Sequence, residues 1–445
     1  MGAGLINRLF YFVKEILSDA WGIVRSPRKG LESLYHVSLY RNAAYVMMNN
    51  LALGLTGFFF WIAAARLYPT DQVGVASAAV AAMLLLADVS LFGLDYAIVR
   101  YIVGAGSSAK DLVNSCLTLT GVTSTILSLI FIAGLSFWSP GLHVIREQPL
   151  FFATFVVSTL GNNVFLLVQR VCIGQLRSDF VLAMGLVFGL SRFIPLAIMA
   201  SSSSSLGIFA SFVIATWLAV AVGVVFLVPR VVPRYRPSLK VRGDLLAPMV
   251  HYALGNFVAN VSLTIIGYVL PVVVLNVLGA EKTAYFYVTW TFSGIVASVV
   301  FAVTINLFAA GSNDPQRLKY YVKRSVKLMA VLLVPTITLT LLLGDKFLLA
   351  FGEGYSRNGT HLLWLLMLAA VPFGINMLYI AVMRVGSEMK WTMAITIFVA
   401  IATLGSSPFL LSRMGLIGVG VAWLASQGVV AIFTGRQILK AYFVG

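Results

Sequence analysis

Apolar stretches of about 20 residues or more recur along nearly the whole chain, separated by short segments that carry most of the charge. A helix rises about 1.5 Å per residue, so about 20 apolar residues cross the roughly 30 Å hydrocarbon core of a bilayer. The sequence therefore predicts an all-α polytopic membrane protein with twelve transmembrane helices. The predicted spans are 43–67, 73–103, 112–137, 149–170, 179–200, 206–229, 248–276, 284–309, 324–344, 360–383, 391–411 and 415–435.

The composition points to lipid as the solvent of this chain. Of its 445 residues, 60% are hydrophobic and 10% are charged, whereas charged residues make up about 25% of a typical soluble protein. Twelve spans and short loops leave no room for a large soluble catalytic domain. The two cysteines, Cys116 and Cys172, both lie in apolar stretches, so neither a disulfide framework nor a zinc site is predicted.

The basic residues fall mainly on one side of the predicted membrane. Of the 31 lysines and arginines, Arg192 lies within a span and 24 lie on the side that holds both termini. The six on the opposite side are Arg66, Arg146, Lys282, Lys346, Arg357 and Arg413. Cytoplasmic loops retain an excess of Lys and Arg, and one missed helix would invert every later loop. We therefore predict a cytoplasmic-membrane protein with both termini inside, whose net charge of +16 reflects topology rather than binding to nucleic acid.

Residues 1–42 are predicted to form a cytoplasmic segment that stays on the mature protein. Charges interrupt its apolar stretch, and no small-residue cleavage site follows. Apolar residues at helical spacing favour a helix lying on the inner leaflet, with a partly ordered basic tail as the alternative. The apolar residues are Leu5, Leu9, Val13, Ile16 and Leu17.

A basic cytoplasmic linker, 230–247, divides the spans into six plus six. Shifting the sequence by 210 residues lays Leu67–Asp71 over Val277–Glu281, each a short outer turn between the first two spans of its half. Six spans bring the second half into the membrane from the same side, which predicts parallel repeats about an axis along the membrane normal. We expect two six-helix lobes, 43–229 and 248–445, around a central cavity.

Two acids lie inside predicted spans, where an ion costs from about 3 to above 10 kcal/mol. Asp88 and Asp95 are seven residues apart, which places them within about 20° of one face of a continuous helix. The functional interpretation is that Asp88, together with Asp95, binds Na⁺ or H⁺ as a coupling ion. The alternatives are pairing with Arg192, hydrogen bonding to neighbouring spans and, for Asp95, solvation at the cytoplasmic side.

Arg192 is the basic residue that lies well inside a span. Its guanidinium group could hold a phosphate head group bidentately, or it could partner an aspartate. Arg100 and Arg170 are near cytoplasmic span ends, where they form either an electropositive entrance or contacts with anionic lipid.

Asparagines supply a second set of candidate binding residues. Asn50, Asn163 and Asn260 belong to eight asparagines in the cytoplasmic halves of their spans. Together they could line an inward vestibule that binds substrate. Hydrogen bonding between helices is the alternative for each of them.

The sequence has no Walker loop, nucleophile elbow, HExxH or CxxC motif. We therefore predict no catalytic residues, no metal site and no cofactor. A membrane glycan polymerase or ligase generally needs a substantial outer loop that carries acids, His or Arg, whereas the longest outer connection, about 345–359, is short. A transporter is the favoured class over an enzyme.

Several ordered segments resemble the polysaccharide and oligosaccharide-lipid flippases of the multidrug/oligosaccharidyl-lipid/polysaccharide exporter superfamily. Ala65–Gly74 follows span one, and Leu91–Tyr101 closes span two. Phe351–Ser356 is similar to the family's Phe-Gly-x-x-Tyr turn, and Gly415–Ala422 to its glycine-rich final helix. The likeness extends over about residues 40–440, and the order and spacing of the segments carry it.

This resemblance implies a function and a substrate class. The substrate would be a glycan on a polyprenyl phosphate or pyrophosphate, turned from the cytoplasmic to the outer leaflet by alternating access of two lobes. The prenyl tail would stay among the membrane lipids. A cation-coupled multidrug exporter of the same superfamily is the alternative, because Asp88 and Asp95 would suit cationic drugs.

Overall fold

The computed structural model describes residues 38–386 and 388–444, so the predicted interfacial helix, whose apolar residues run from Leu5 to Leu17, lies outside the described part. Twelve long helices dominate the described chain, and none of its residues forms a β-strand. The helices are α1 Ser38–Leu67, α2 Thr70–Ser90, α3 Ala109–Ala133, α4 Pro149–Gly174, α5 Ser178–Ser191, α6 Ser205–Ala221, α7 Gly243–Leu278, α8 Ala280–Asn313, α9 Leu318–Leu349, α10 Glu353–Val385, α11 Met389–Met414 and α12 Ile417–Leu439. We call α1–α6 the N-terminal half and α7–α12 the C-terminal half.

The helices agree with the predicted transmembrane architecture. Within the described residues, eleven helical stretches are long and apolar enough to cross a membrane, and α7 makes twelve when its two parts count as one span. For α5 and α6 the stretch includes the helical turns that continue them, to Ser201 and Val231. These parts, Gly243–Ser262 and Thr264–Leu278, meet at an angle of 47°. The predicted all-α polytopic fold is confirmed.

Span two differs from its prediction as one long tilted helix over 73–103. Helix α2 ends at Ser90, and a separate short helix runs over Leu94–Tyr101. Phe92 and Gly93 between them have positive φ angles of 46° and 76°, a left-handed conformation that glycine adopts readily. Hydropathy continues unbroken through this region, so the apolar pattern could not reveal the break.

The break lets two backbones approach closely. A Cβ atom at Gly93 would overlap the carbonyl oxygen of Ala253 on α7. The same holds near the start of α2, where a Cβ atom at Gly74 would overlap the carbonyl oxygen of Ala280 at the start of α8. Small residues allow such contacts between membrane helices, whose association depends on close packing. Helix α2 therefore joins the N-terminal half to both α7 and α8.

Substituting Gly93 by alanine is expected to destabilise the protein strongly. The variant combines a left-handed residue that carries a side chain with an overlap on Ala253, for a loss of about 2 kcal/mol or more. Thermal unfolding in detergent measures this loss. Gly104→Ala is the matched control, because no atom lies within 4 Å of a Cβ at Gly104. Equal unfolding temperatures for the two variants would contradict the packing described for Gly93.

Candidate functional site

A largely half-buried polar cluster connects the two halves where α2 breaks and α7 bends. Asp88 lies on the last turns of α2, while Asn260 and Thr264 lie on either side of the bend in α7. Thr264 Oγ1 donates to Asp88 Oδ2 over 2.7 Å, and Asn260 Nδ2 lies 3.2 Å from both carboxylate oxygens. Tyr96 donates its hydroxyl hydrogen bond to Asn260 Oδ1 over 2.9 Å. Both ends of the Asn260 side chain are thus fixed.

The second acid of this region is paired within the N-terminal half. Asp95 is 7% exposed, and its Oδ2 lies 3.4 Å from Arg170 NH2. The Arg170 guanidinium also covers the ring of Tyr96, with its carbon 5.3 Å from the ring centroid. Asp95 is therefore ion-paired rather than solvated, and Tyr96 links this pair to Asn260. We call Asp88, Asp95, Tyr96, Arg170, Asn260 and Thr264 the cross-half cluster.

The charges of the cross-half cluster do not cancel. Arg170 neutralises Asp95, whereas the groups that hydrogen bond to Asp88 are a neutral amide and a neutral hydroxyl. Among the described residues, no Lys, Arg or His forms a salt bridge with Asp88, and the predicted alternative of an Asp88–Arg192 pair is not formed. A carboxylate without a cationic partner in an apolar setting attracts a proton or a small cation.

Arg192 occupies a separate position between α1 and α5. It is 4% exposed, and its NH2 group donates to Thr56 Oγ1 over 3.2 Å. Its guanidinium carbon lies 4.7 Å from the ring centroid of Phe60 and 5.0 Å from that of Phe188. The Nε atom is buried without a hydrogen-bond partner, and no described carboxylate pairs with this arginine. Arg192 is thus a buried cation stabilised by aromatic faces and one hydroxyl.

The remaining predicted binding residues make contacts other than those of the cross-half cluster. Asn163 is buried in the N-terminal half, where its Nδ2 donates to Ser90 Oγ over 2.7 Å beside the break in α2. Arg100 is exposed and lies 4.7 Å above the ring centroid of Tyr252. Of the eight predicted site residues, the structure brings together Asp88, Asp95, Arg170 and Asn260 and leaves Arg192, Arg100, Asn50 and Asn163 elsewhere.

Helix α1 contacts the C-terminal half at its predicted outer end and is exposed at its predicted cytoplasmic end. Trp61 lies edge-on to Tyr287 of α8, with ring centroids 4.7 Å apart. Asn50 is exposed although it lies eleven residues before Trp61 and therefore within about 20° of the same helix face. Beside it, Met47 and Leu51 are 67% and 64% exposed. The face of α1 that meets α8 is uncovered toward the cytoplasmic end.

Two hydrogen-bonded contacts close the predicted outer side. At the end of α1, Arg66 donates from Nε and NH2 to the carbonyls of Ala350 and Leu349, over 2.8 and 2.7 Å. At the end of α7, Asn276 Nδ2 donates to the carbonyl of Trp138 over 2.9 Å, and its Oδ1 accepts from the Gly141 amide over 3.2 Å. We call these contacts the outer latches.

The outer latches occupy equivalent places in the two halves. Arg66 and Asn276 are 210 residues apart, which is the shift that relates the outer turns in the sequence. Each side chain holds the segment that follows the third helix of the opposite half. The register found in the sequence therefore corresponds to a paired contact in the structure.

A cavity of about 450 Å³ lies within the C-terminal half beside the cross-half cluster. Residues of α7, α8, α10, α11 and α12 line it, including Asn260 and Thr264, which also bind Asp88. On its polar side Asn376 donates to Gln427 Oε1 over 2.7 Å and accepts from Thr434 over 2.7 Å. Tyr96, Thr264 and Gln427 are not among the residues predicted from the sequence, because neutral polar residues are common in membrane helices and only the fold shows which of them converge.

Comparisons with known proteins find one curated relative and several solved structures that are similar to this chain. No family model matches the sequence. A putative O-antigen transporter of Shigella flexneri is 26% identical over 239 residues, which are 50% of this chain and 57% of that protein, so the match spans little more than half of the curated relative.

Solved structures match over most of the chain. The lipid II flippase MurJ in an inward closed conformation has a TM-score of 0.72 at 12% identity, covering 89% of this chain and 87% of its own. An inward-facing multidrug resistance MATE family transporter of the MOP superfamily has a TM-score of 0.63 at 15% identity, covering 88% and 94%. The chain has the fold of these transporters, and the resemblance to the superfamily's flippases and exporters is confirmed.

Proposed function

We propose that the protein flips a lipid-linked oligosaccharide or polysaccharide repeat unit from the cytoplasmic to the outer leaflet by alternating access. The observation that carries the proposal is the asymmetry of the contact between halves, which are latched at the outer end and uncovered along α1 at the cytoplasmic end. The moving bodies are two six-helix lobes, 43–229 and 248–445, joined by the basic linker 230–247. The MurJ-like fold and the O-antigen transporter relative support this assignment.

The substrate we propose is a glycan on a polyprenyl phosphate or pyrophosphate. Its phosphate would meet Arg100 at the cytoplasmic entrance and Arg192 deeper in the N-terminal half, between α1 and α5, since arginine holds phosphate bidentately. Asn50 lies on the uncovered face of α1 between these positions and would contact the head group. The prenyl tail would remain in lipid alongside that face, whose apolar residues are exposed.

Asp88 is the proposed coupling residue. It bridges the halves through Asn260 and Thr264, so neutralising its charge with Na⁺ or H⁺ changes a contact that both halves share. Asp95 acts through Arg170 to hold Tyr96 against Asn260. An ion gradient across the cytoplasmic membrane would then bias which side of the protein is open.

A cation-coupled multidrug exporter is the second candidate function. The match to MATE transporters and the carboxylate of Asp88 without a cationic partner favour it. Cationic drugs should then compete with transport, and an anionic lipid-linked glycan should not be moved. A membrane glycan polymerase or ligase is less attractive, because the curated relative and the solved neighbours are transporters.

A leaflet-exposure assay tests the proposed function. Liposomes with the purified protein and a fluorescent polyprenyl-diphosphate-linked oligosaccharide are expected to expose the glycan to an external lectin faster than protein-free liposomes. A panel of glycans and a panel of cationic drugs are run in parallel. Acceleration for no glycolipid would overturn the flippase, and gradient-driven uptake of drugs would establish the exporter.

Removing the outer latches is expected to shift the protein toward outward opening. In Arg66→Ala/Asn276→Ala, four hydrogen bonds between the halves are lost, each worth about 0.5–3 kcal/mol. Distance measurements between spin labels at the outer ends of α1 and α9 should show a larger open population.

Lys346→Ala is the control, because Lys346 is an exposed outer residue of α9 for which the described contacts include no latch. An unchanged distance distribution in the double variant would show that other contacts hold the outer side closed.

A further inference from the structure

We propose that the cavity in the C-terminal half is a sugar subsite, which takes a neutral mono- or disaccharide portion of the transported glycan. The inference rests on the proposed flippase function and names where its glycan is recognised. A volume of about 450 Å³ lies in the lower part of the range of about 300–1,000 Å³ for small-molecule sites. It suits one or two sugar rings rather than a whole oligosaccharide.

Two indole rings form the aromatic wall of the cavity. Trp290 and Trp423 lie 5.5 Å apart between ring centroids at an angle of 71°. Phe286 stacks on Trp290, and Phe373, which also lines the cavity, packs against Trp423. These contacts hold both indoles in place. Aromatic faces carry negative charge, and the C–H groups on one face of a pyranose ring carry a partial positive charge. A fixed pair of indoles therefore matches the apolar face of a sugar.

Polar atoms in the same cavity lack partners. Asn376 holds the Oε1 end of the Gln427 side chain, and within the described residues Gln427 Nε2 donates no hydrogen bond. Gln427 is 3% exposed, yet it lines the cavity. The indole nitrogens of Trp290 and Trp423 likewise donate no hydrogen bond to the described residues. These three donors belong to residues that line the cavity and are unpaired within the described residues; an unpaired polar group costs free energy where it is shielded from water.

These groups distinguish a sugar from the other candidate occupants. A prenyl chain would fill the apolar volume but leave the three donors unsatisfied. A cationic drug needs a carboxylate, whereas the described residues that line the cavity carry no Asp or Glu, and Asp88 lies beyond Asn260 and Thr264. A neutral sugar supplies both kinds of contact, because its hydroxyl oxygens can accept from such donors and its C–H face can cover an indole ring.

The location couples this subsite to the contact between halves. Asn260 and Thr264 line the cavity and at the same time donate to Asp88. A sugar hydroxyl that engages either residue competes with Asp88 for the same hydrogen bond. A sugar bound in the cavity would therefore weaken the hydrogen bonds that Asn260 and Thr264 donate to Asp88.

Binding of glycosylated and bare carrier lipid to the purified full chain in nanodiscs tests the subsite. The probes are undecaprenyl diphosphate alone and undecaprenyl diphosphate carrying a single N-acetylglucosamine, galactose or glucose. Wild type is expected to bind at least one glycosylated probe about tenfold more tightly than the bare lipid, which corresponds to about 1.4 kcal/mol.

Two variants should remove this preference while leaving affinity for the bare lipid unchanged. Gln427→Leu deletes the inward donor, with exposed Gln437→Leu on the same helix as its control. Gly294→Leu fills the cavity, because no atom lies within 4 Å of a Cβ at Gly294. Gly255→Leu, at a similarly open position away from the cavity, is its control.

The outcomes separate the subsite from the proposed function. Equal affinity of wild type for the bare and all glycosylated lipids, or a preference that survives both variants, would overturn the subsite. Transport of glycolipids in the lectin assay would still stand in that case. Loss of the preference in both variants with both controls intact would establish the sugar subsite.

Discussion

Asp88→Asn is expected to abolish the dependence of transport on a Na⁺ or H⁺ gradient. The amide is nearly isosteric with the carboxylate, and its oxygen can still accept from Thr264, so the fold should be retained. It cannot take up a proton or neutralise a cation, however, and the variant would be held permanently in the uncharged form. Flipping measured with and without an imposed gradient should therefore proceed at one slow rate in the variant, whereas wild type is accelerated.

Asp345→Asn controls for the loss of a carboxylate, because Asp345 is an exposed residue near the end of α9. It should respond to the gradient as wild type does. Asp95→Asn provides a second comparison, since Asp95 is paired with Arg170 and its loss leaves a half-buried arginine without this partner. That variant should lose thermal stability, by about 3–5 kcal/mol for a fully buried pair and less for the partly exposed Arg170. Unchanged gradient dependence in Asp88→Asn would assign Asp88 a purely structural hydrogen-bonding role.

The predicted helical architecture agrees with the structure because it depends on hydropathy, segment length and loop charge, which can be read from the sequence one segment at a time. Length and hydropathy define each span locally, and the sign of the loop charges checks the count of spans without any knowledge of packing. Arg66 and Asn276 directly precede the two outer turns that the 210-residue shift superimposes, and they make equivalent contacts in the two halves. A repeat with little sequence identity was recoverable because loop position persists when side chains change.

The geometry of the acids was less predictable. Placing Asp88 and Asp95 on one face assumed a continuous helix, but the turn at Phe92 and Gly93 separates them. Their actual partners are Asn260, which is 172 residues from Asp88, and Arg170, which is 75 residues from Asp95. No local pattern encodes such pairings, since each depends on which helices become neighbours in the fold.

The residues that line the cavity could not be identified from the sequence. Gln427 is one of many polar residues in apolar helices, and it gains meaning only because Asn376 on α10 fixes one end of its amide. Likewise Trp290 and Trp423 lie on different helices and look in the sequence like ordinary core or interface aromatics. Their combination around one cavity is a property of tertiary packing alone.

Arg192→Met is expected to reduce flipping by about thirtyfold or more while leaving the thermal stability unchanged or raised. Removing one partner of a desolvated charge pair costs about 2 kcal/mol or more, which would be lost from phosphate binding. In the protein without substrate, by contrast, this arginine has one hydroxyl partner, a buried Nε without a partner and no paired carboxylate. Methionine fills a similar volume against Phe60 and Phe188 without the cost of burying a charge.

The effects of Arg192→Met on transport and on thermal stability distinguish a phosphate-binding role of Arg192 from a structural one. If it serves only to brace α5 against α1 through Thr56 and the two phenylalanines, Arg192→Met should lower the unfolding temperature and the transport rate together. Arg192→Lys keeps the charge but not the bidentate geometry, so a phosphate-binding role predicts partial transport with this variant and little with methionine. Full transport by Arg192→Met would remove Arg192 from the substrate path. An unpaired cation that can be replaced at no cost to stability is retained for a ligand that brings its own negative charge.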